Sequence, residues 1–345
     1  MKKYLTDMRV LAIAMVVMLH VAAPVRDQLE NMATANWLAG AFLDALARCG
    51  VPLFVMISGA LLLPKEEEIG AFYRKRVSKI LIPFLFWAYF YALYTNWHTL
   101  KEFNPIDAIW DVFAGPTFYQ MWFMYMIVGL YLVTPFLRIM VQHMTKKHLE
   151  WFLGLFFLFF VAIPHLSREL STWFEIDLRF GFGIPVLDVY VGYFVLGHYL
   201  DRYGKISWGT GRLWMAFFGS TIVLVLGSYA VYRKSGGYNP MFVLNESPLV
   251  LLQAYILFLL FKQRKLRSEK ENWLFPKIAL LSFGIYLVHP LIIDVFERRY
   301  LGFQLNARTT ETIMAIPLTF LVCFSLSFVV CWLLYQLPYI RKIVA

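Results

Sequence analysis

The chain has 345 residues, of which 60% are hydrophobic and only 16% are charged, a balance that excludes a soluble globular domain. Long apolar runs recur throughout the sequence, so they predict a multi-pass membrane protein and not a soluble domain with one anchor. The net charge of +10 does not indicate a nucleic-acid partner, because the basic residues cluster between the apolar runs, as membrane-topology signals do.

Hydropathy predicts an all-α integral membrane protein, a bundle of about ten transmembrane helices in a single domain, residues 1–345. The predicted spans are residues 8–25, 40–63, 79–97, 118–140, 150–165, 184–200, 212–232, 248–262, 276–296 and 312–336. Lys and Arg are concentrated in alternate connecting segments, beginning with the N-terminal one, so both termini are predicted to be cytoplasmic. Residues 98–117 predict a short amphipathic helix at the outer membrane surface, and residues 166–183 and 233–247 are expected to roof a cavity.

The first apolar run has Arg9 near its start and His20 at its end. In a helix these residues are about three turns apart, so they share one face and lie roughly 16 Å from each other along the axis. This distance is about half the thickness of the hydrocarbon core of a bilayer. The run therefore predicts an anion site at one membrane surface and a possible general base in the other half of the membrane.

Polar side chains inside predicted spans are costly and therefore mark functional candidates. Those expected in or near the outer half of the membrane are His20, Arg48, Gln120, Trp122, Tyr125, Asp188, Tyr286 and His289. We expect them to meet in one cavity if their spans surround it. Two structural interpretations stay open: Arg48 and Asp188 could form an ion pair, and His289, before Pro290, could satisfy a carbonyl freed by the helix break.

A basic cluster formed by Arg74, Lys75, Arg76 and Lys79 is predicted at the inner surface, on the same side as Arg9. Four cations within six residues could bind phosphates. They could also be only a topology signal, which is the simpler interpretation from the sequence alone. The three cysteines have no metal-binding or redox spacing, and no metal site is predicted.

Five motifs in this order resemble those of the acyltransferase-3 family of bacterial integral-membrane acyltransferases. They are Arg9-x10-His20 and residues 48–59 (RCGVPLFVMISG), 74–83 (RKRVSKILIP), 122–135 (WFMYMIVGLYLVTP) and 282–290 (SFGIYLVHP). The short form is most similar to the subgroup that contains the enterobacterial common antigen O-acetyltransferase. Gln120 stands where many relatives have His, and Lys79 stands where Arg is commoner.

The resemblance implies transfer of an acyl group from cytoplasmic acyl-CoA, by default acetyl-CoA, to a hydroxyl of an extracytoplasmic glycan or lipid-linked saccharide, at a bacterial inner membrane. His20 would be the general base. The CoA phosphates would be bound by Arg9, Arg74, Arg76 and Lys79. For the other two roles the resemblance leaves several candidates. The oxyanion would be stabilised by Gln120, Tyr286, His289 or Arg48, and the acceptor would be bound by Arg48, Trp122 or Asp188.

Two alternatives differ in mechanism or in class. A covalent acyl-enzyme would use a hydroxyl such as Ser58, although the Ser58-Gly59 pair is explained more simply by close helix packing. A transporter or flippase would also place polar groups in an intramembrane cavity, but the sequence has no detectable inverted repeat. Homo-oligomerisation is left open.

Overall fold

The computed structural model describes residues 2–26, 28–98, 104–176, 189–205, 208–264, 273–306 and 312–344. These residues form an all-helical protein without a β-strand among them. The helices are α1 (Lys3–Ala22), α2 (Thr34–Ala47), α3 (Gly50–Leu62), α4 (Ile69–Arg76), α5 (Ile82–His98), α6 (Pro105–Ala114), α7 (Trp122–His143), α8 (Lys146–Phe157), α9 (Ile163–Phe174), α10 (Val189–Tyr203), α11 (Thr210–Ser235), α12 (Pro248–Arg264), α13 (Phe275–Glu297) and α14 (Thr312–Gln336).

Eight helical segments in the described part of the chain are long and apolar enough to cross a membrane, where about ten spans were predicted. The two predicted spans that are not among the eight correspond to α10 and α12, which have 15 and 17 residues. A perpendicular crossing takes about 20 residues. Residues 184–188, the start of the predicted sixth span, lie outside the described residues. A multi-pass membrane protein is therefore confirmed, while the count of ten stays a prediction.

Prolines explain where the predicted spans are interrupted. Pro52 has no N–H to donate to the carbonyl of Arg48, and the helix breaks there between α2 and α3. Pro83 and Pro164 each follow a π-helical turn, Val77–Leu81 and Leu158–Ala162. A proline ring in an α-helix clashes with the carbonyl four residues earlier, here that of Lys79 or Phe160. Both carbonyls lie in the wider π turns, which give the rings room.

Helix α1 lies at the centre of the bundle, in contact with α2, α3, α12, α13 and α14. The closest crossing is between α3 and α10. A Cβ atom at Gly59 would lie 1.7 Å from the carbonyl oxygen of Phe194, and one at Gly197 would lie 1.9 Å from that of Met56. Ser58, beside Gly59, donates within its own helix to the carbonyl of Phe54, at 2.9 Å. The pair therefore serves close packing of the two helices, as its simpler interpretation predicted.

Large apolar side chains are exposed where a membrane protein would meet lipid. On α14 they include Leu318, Leu321 and Leu333, each more than half exposed. On α6, which falls within the predicted amphipathic segment 98–117, Trp110 and Phe113 are exposed while Val112 is buried. In water these surfaces would be a liability, whereas against acyl chains they are favourable.

Candidate active site

A cavity of about 440 Å³ lies at the C-terminal end of α1. Its walls come from α1, the α2–α3 junction, the segment before α7 and the C-terminal half of α13. The residues that line it are Val16, Leu19, His20, Ala23, Pro24, Arg26, Arg48, Val51, Tyr119, Gln120, Trp122, Phe123, Asn245, Tyr286, Ile293 and Glu297. Five of the predicted polar candidates thus meet in one cavity: His20, Arg48, Gln120, Trp122 and Tyr286.

His20 and His289 form a pair, although 269 positions separate them in the sequence. Nδ1 of His20 lies 2.8 Å from Nε2 of His289, and the two rings are stacked with centroids 5.0 Å apart. Tyr119 packs edge-on against His20 with ring centroids 5.1 Å apart. His289 is fully buried, so it supports His20 from behind the cavity wall.

The partners of the two rings assign their tautomers. Nδ1 of His289 lies 3.0 Å from the carbonyl oxygen of Ile285, which can only accept, so this nitrogen carries the proton. Nε2 of His289 then has a lone pair and accepts from the Nδ1–H of His20. As a result, Nε2 of His20 keeps a lone pair that no described residue occupies. Helix α13 continues through Pro290 without the predicted break, and the carbonyl bound by the His289 ring is that of Ile285, not that of Tyr286, which Pro290 leaves without its N–H donor.

Tyr286 connects α13 to the segment before α7. Its hydroxyl donates a short hydrogen bond to the backbone carbonyl of Gln120. The side chain of Gln120 is 1% exposed, and neither its Nε2 nor its Oε1 has a hydrogen-bond partner within the described residues. Buried polar atoms without partners are rare, so this amide is a candidate for contact with a bound molecule.

Arg48 is held by a carboxylate that sequence reasoning missed. Its Nε and Nη2 donate to Asp44 at 2.8 and 2.6 Å, and its Nη1 donates to the carbonyl of Val243 at 3.2 Å. Asp44, which is 2% exposed, is also 3.9 Å from Arg26. The i, i+4 spacing of Asp44 and Arg48 was a visible signal for this pair. The predicted partner Asp188 lies outside the described residues.

Two other outer candidates have different surroundings. Trp122 lines the cavity and packs against Tyr190, with ring centroids 5.8 Å apart. Tyr125 does not line it, because its hydroxyl donates to the carbonyls of Val112 and Gly115 in the α6 region. Of the two segments predicted to roof the cavity, residues 233–247 contribute Asn245 to its wall and the carbonyl of Val243 that binds Arg48, whereas the described part of residues 166–183 does not line it.

Toward the other end of α1, Arg76 lies over aromatic rings, and Arg9 interacts electrostatically with one of them, Tyr131. The guanidinium carbon of Arg76 lies 4.6 Å from the ring centroid of Phe72 and 5.8 Å from that of Tyr131. The charge of Arg9 interacts electrostatically with the hydroxyl of Tyr131. The buried Nε of Arg9 has no hydrogen-bond partner among the described residues. Arg74 and Lys79 are exposed to solvent.

A neighbouring carboxylate, Glu67, forms ion pairs at contact distance with other cations of this surface but not with these four. Glu67 accepts a hydrogen bond from Lys75 at 2.5 Å and lies 3.9 Å from Arg138. The hydrogen bond from Lys75 lowers the pKa of Glu67. By contrast, no carboxylate in the described ranges forms an ion pair with any of the four predicted CoA-binding cations, Arg9, Arg74, Arg76 and Lys79.

Sequence reasoning missed several residues of the cavity wall. Arg26, Tyr119, Asn245 and Glu297 line it but lie outside the predicted spans or at their ends, where polar and aromatic residues are unremarkable. Only Tyr119 had a local signal, its position next to Gln120.

Comparison with known proteins gives one match. The family model of the acyltransferase domain, Acyl_transf_3, matches residues 3–336. A search of curated proteins gave no match, and a search of solved structures gave none either.

Proposed function

This chain belongs to the acyltransferase domain family, and from that premise we propose that it is a membrane O-acyltransferase that uses acyl-CoA as its donor. The acyl group, by default acetyl, would move from cytoplasmic CoA to a hydroxyl of a glycan or lipid-linked saccharide on the other side of the membrane. The observation that carries the proposal is the pair of His20 and His289 at the wall of a cavity that also contains Arg48, Gln120 and Trp122.

The general base in this proposal is Nε2 of His20. Its lone pair is directed away from His289, because Nδ1 donates to that residue. His289 is held in turn by the carbonyl of Ile285, so both rings have fixed orientations before a substrate binds. A base that is already oriented avoids the entropic cost of ordering it during the reaction.

The proposed step needs only this base and the two substrates. The acceptor oxygen attacks the thioester carbonyl carbon while its proton passes to Nε2 of His20. The carbonyl electrons move onto the carbonyl oxygen and form a tetrahedral oxyanion. When this intermediate collapses, the C–S bond breaks, the new C–O bond of the ester remains, and the thiolate of CoA takes the proton from His20.

The donor would extend along α1. CoA has phosphates at one end and the thioester at the other, and we assign the phosphates to Arg9 and Arg76 beside Tyr131. Arg9 is suited to this role because its partly buried side chain has an unbonded Nε and no carboxylate ion-pair partner among the described residues. Helix α1 is continuous from Arg9 to His20, which sets the two sites about 16 Å apart. The exposed charges of Arg74 and Lys79 would attract the negatively charged CoA at longer range.

The acceptor would occupy the cavity, with Trp122 as a face for a sugar ring and Arg48 as a polar contact. Asp188 stays a predicted acceptor contact.

We further propose a bacterial inner-membrane location with both termini in the cytoplasm, and membership of the subgroup of the enterobacterial common antigen O-acetyltransferase. The basic inner segments support the orientation.

The test uses the purified protein in detergent with radiolabelled acetyl-CoA and a lipid-linked glycan fraction. We expect release of free CoA and transfer of label to the glycan without any vesicle or gradient. A transporter would need two compartments to show activity. If neither CoA release nor labelled glycan is detected with short or long acyl-CoA donors, the proposed function is wrong.

A further inference from the structure

An acyl transfer to a hydroxyl needs a donor for the oxyanion, and four side chains were candidates from the sequence: Gln120, Tyr286, His289 and Arg48. Backbone and side-chain hydrogen-bond donors that face the forming negative charge are commonly the largest single contribution to such reactions. A donor that is already bonded within the protein has no hydrogen left for this role. The hydrogen bonds of the four residues therefore separate them.

Three of the four use all or most of their hydrogens on protein oxygens or on the histidine pair. Tyr286 has one hydroxyl hydrogen, and it goes to the carbonyl of Gln120. His289 donates from Nδ1 to Ile285 and accepts at Nε2 from His20. All three nitrogens of the Arg48 guanidinium donate to Asp44 or to the carbonyl of Val243; Nη1 keeps one further N–H, but the Asp44 carboxylate neutralises the charge of the group.

Gln120 is different, because the two polar atoms of its side chain are buried and have no hydrogen-bond partner in the described ranges. Gln120 is nevertheless among the residues that line the cavity, and its amide atoms lie behind the cavity surface, where a rotation of the side chain would expose them to a bound molecule. A buried amide with unmet donors is unfavourable unless a bound molecule supplies the partner. The cavity beside it is where such a molecule would lie.

The backbone of Gln120 is fixed next to the histidine pair. Its carbonyl is bound by Tyr286, whose ring centroid lies 6.0 Å from that of His289. The preceding residue, Tyr119, packs against the ring of His20. The Gln120 side chain also interacts with the phenol oxygen of Tyr91, whose hydrogen goes to the carbonyl of Leu287, so the amide would exchange this contact for a bound oxyanion. The backbone of Gln120 is thus held next to His20 by Tyr119 and next to His289 by Tyr286.

We propose that Nε2 of Gln120 donates the hydrogen bond that stabilises the tetrahedral oxyanion, an assignment that rests on the proposed acyltransferase function. As the acceptor oxygen bonds to the thioester carbon, negative charge grows on the former carbonyl oxygen, and the amide N–H binds it. The charge returns to the carbonyl when the C–S bond breaks. The amide loses no proton in the cycle, so an uncharged residue is sufficient at a position where many relatives have His.

The first test replaces the amide by an apolar side chain of similar size, Gln120→Met. Both acyl transfer and the hydrolysis of acetyl-CoA in the absence of acceptor should fall about 10²- to 10³-fold in kcat, with little change in either KM. Hydrolysis is included because it forms the same oxyanion without an acceptor. If only the KM for the acceptor rises and hydrolysis is spared, Gln120 binds the acceptor and the proposal is overturned.

The matched control is Gln253→Met. Gln253 is also a fully buried glutamine, but it lies on α12, donates to Thr221 at 2.8 Å and does not line the cavity. Its substitution should leave kcat per folded molecule within about twofold of the wild type, by the ordinary insensitivity of chemistry to distant sites. An equal loss of kcat in both variants would show a general effect of disturbed packing and would overturn the assignment.

A second variant, Gln120→Glu, keeps the shape of the side chain and so remains informative if Gln120→Met does not fold. The introduced carboxylate repels the oxyanion, so activity at neutral pH should fall at least as far as in Gln120→Met. Its activity relative to the wild type should rise as the pH is lowered, because the protonated carboxyl can donate. A ratio that does not change with pH would contradict the proposal.

The outcomes also separate this inference from the function on which it rests. A wild-type protein with no transfer and no hydrolysis overturns both. An active wild type whose Gln120→Met variant retains more than about a third of its kcat overturns only the role of Gln120, since loss of an oxyanion donor costs far more.

Discussion

The two ends of helix α1 are built in opposite ways. Around His20 the polar side chains are bonded to one another: His20 to His289, and Arg48 to Asp44. Toward the end that carries Arg9, the four predicted phosphate-binding cations have no carboxylate ion-pair partner among the described residues, and the buried Nε of Arg9 is unbonded. Other cations of that side are paired, Lys75 and Arg138 with Glu67 and Lys2 with Asp201.

The difference follows from what each end would have to do. A group that moves a proton must be oriented before the substrate arrives, so bonds that fix its tautomer are an advantage. A group that binds phosphates must keep its charge available, so a carboxylate beside it would compete with the ligand. One helix thus carries a histidine of fixed orientation at one end and an arginine without a carboxylate partner among the described residues near the other.

The largest expected effect is at the end that carries His20. His20→Gln removes the base but keeps a side chain that can bind His289, and transfer should fall by about 10²- to 10⁴-fold. CoA binding and the thermal unfolding midpoint in detergent should stay near the wild-type values. His143→Ala, at an exposed histidine of α7, is the control and should keep full activity. Near-normal transfer by His20→Gln, measured by mass spectrometry of the glycan, would remove His20 from the mechanism.

The next effect tests whether His289 orients the base. His289→Leu leaves His20 in place but frees its Nδ1, so we expect a loss of about 100-fold, the usual cost of misplacing a catalytic group by about 1 Å. The pH profile of kcat should also change, because the protonated ring of His20 loses its acceptor. A variant with unaltered rate and pH profile would reduce His289 to a packing residue.

A third prediction concerns the packing that supports both ends. Gly59→Ala should destabilise the protein by about 3 kcal/mol or more, because its Cβ would overlap the carbonyl of Phe194 at 1.7 Å. Gly129→Ala on α7 is the matched control, since nothing lies within 4 Å of a Cβ there. Thermal unfolding followed by tryptophan fluorescence would compare them. Equal unfolding midpoints would mean that α3 and α10 do not cross as closely as described.

Toward the other end, Arg9→Ala should weaken binding of CoA about tenfold or more, because a charge-assisted hydrogen bond contributes about 1.5–3 kcal/mol. Arg74→Ala should weaken it less than about fivefold, since Arg74 is exposed and screened by solvent. Calorimetric titration of CoA gives both dissociation constants. Equal effects of the two changes would indicate a diffuse basic surface and no specific phosphate site.

The smallest effect is expected at Glu67. Its pKa is lowered in the folded protein by Lys75, so it contributes stability at neutral pH that is lost as the pH falls below about 4. The unfolding midpoint should decline slightly over that range, and Glu67→Gln should remove this part of the decline. An identical pH dependence in wild type and variant would show that the Lys75–Glu67 pair makes no net contribution.

Hydropathy and the positions of polar residues were sufficient to predict a helical multi-pass protein and five side chains of one cavity. Transmembrane helices must satisfy their own backbone, so their locations are visible in a single sequence. The partners of those side chains were less visible. Arg48 pairs with Asp44, one turn away, and not with a described residue of another span. The contact between His20 and His289 depends on how α1 and α13 pack, which no local pattern encodes.

The π turn Val77–Leu81 sets the rotational phase of the basic segment relative to α5. If its five residues wound as a regular α-helix instead, they would turn further by roughly the angle of one residue, about 100°, and α4 would rotate by that angle relative to α5. Arg76 would then leave Tyr131 although every charge of the segment is preserved. Which way these cations point is therefore a property of backbone winding, and sequence changes that conserve composition can still reorient them.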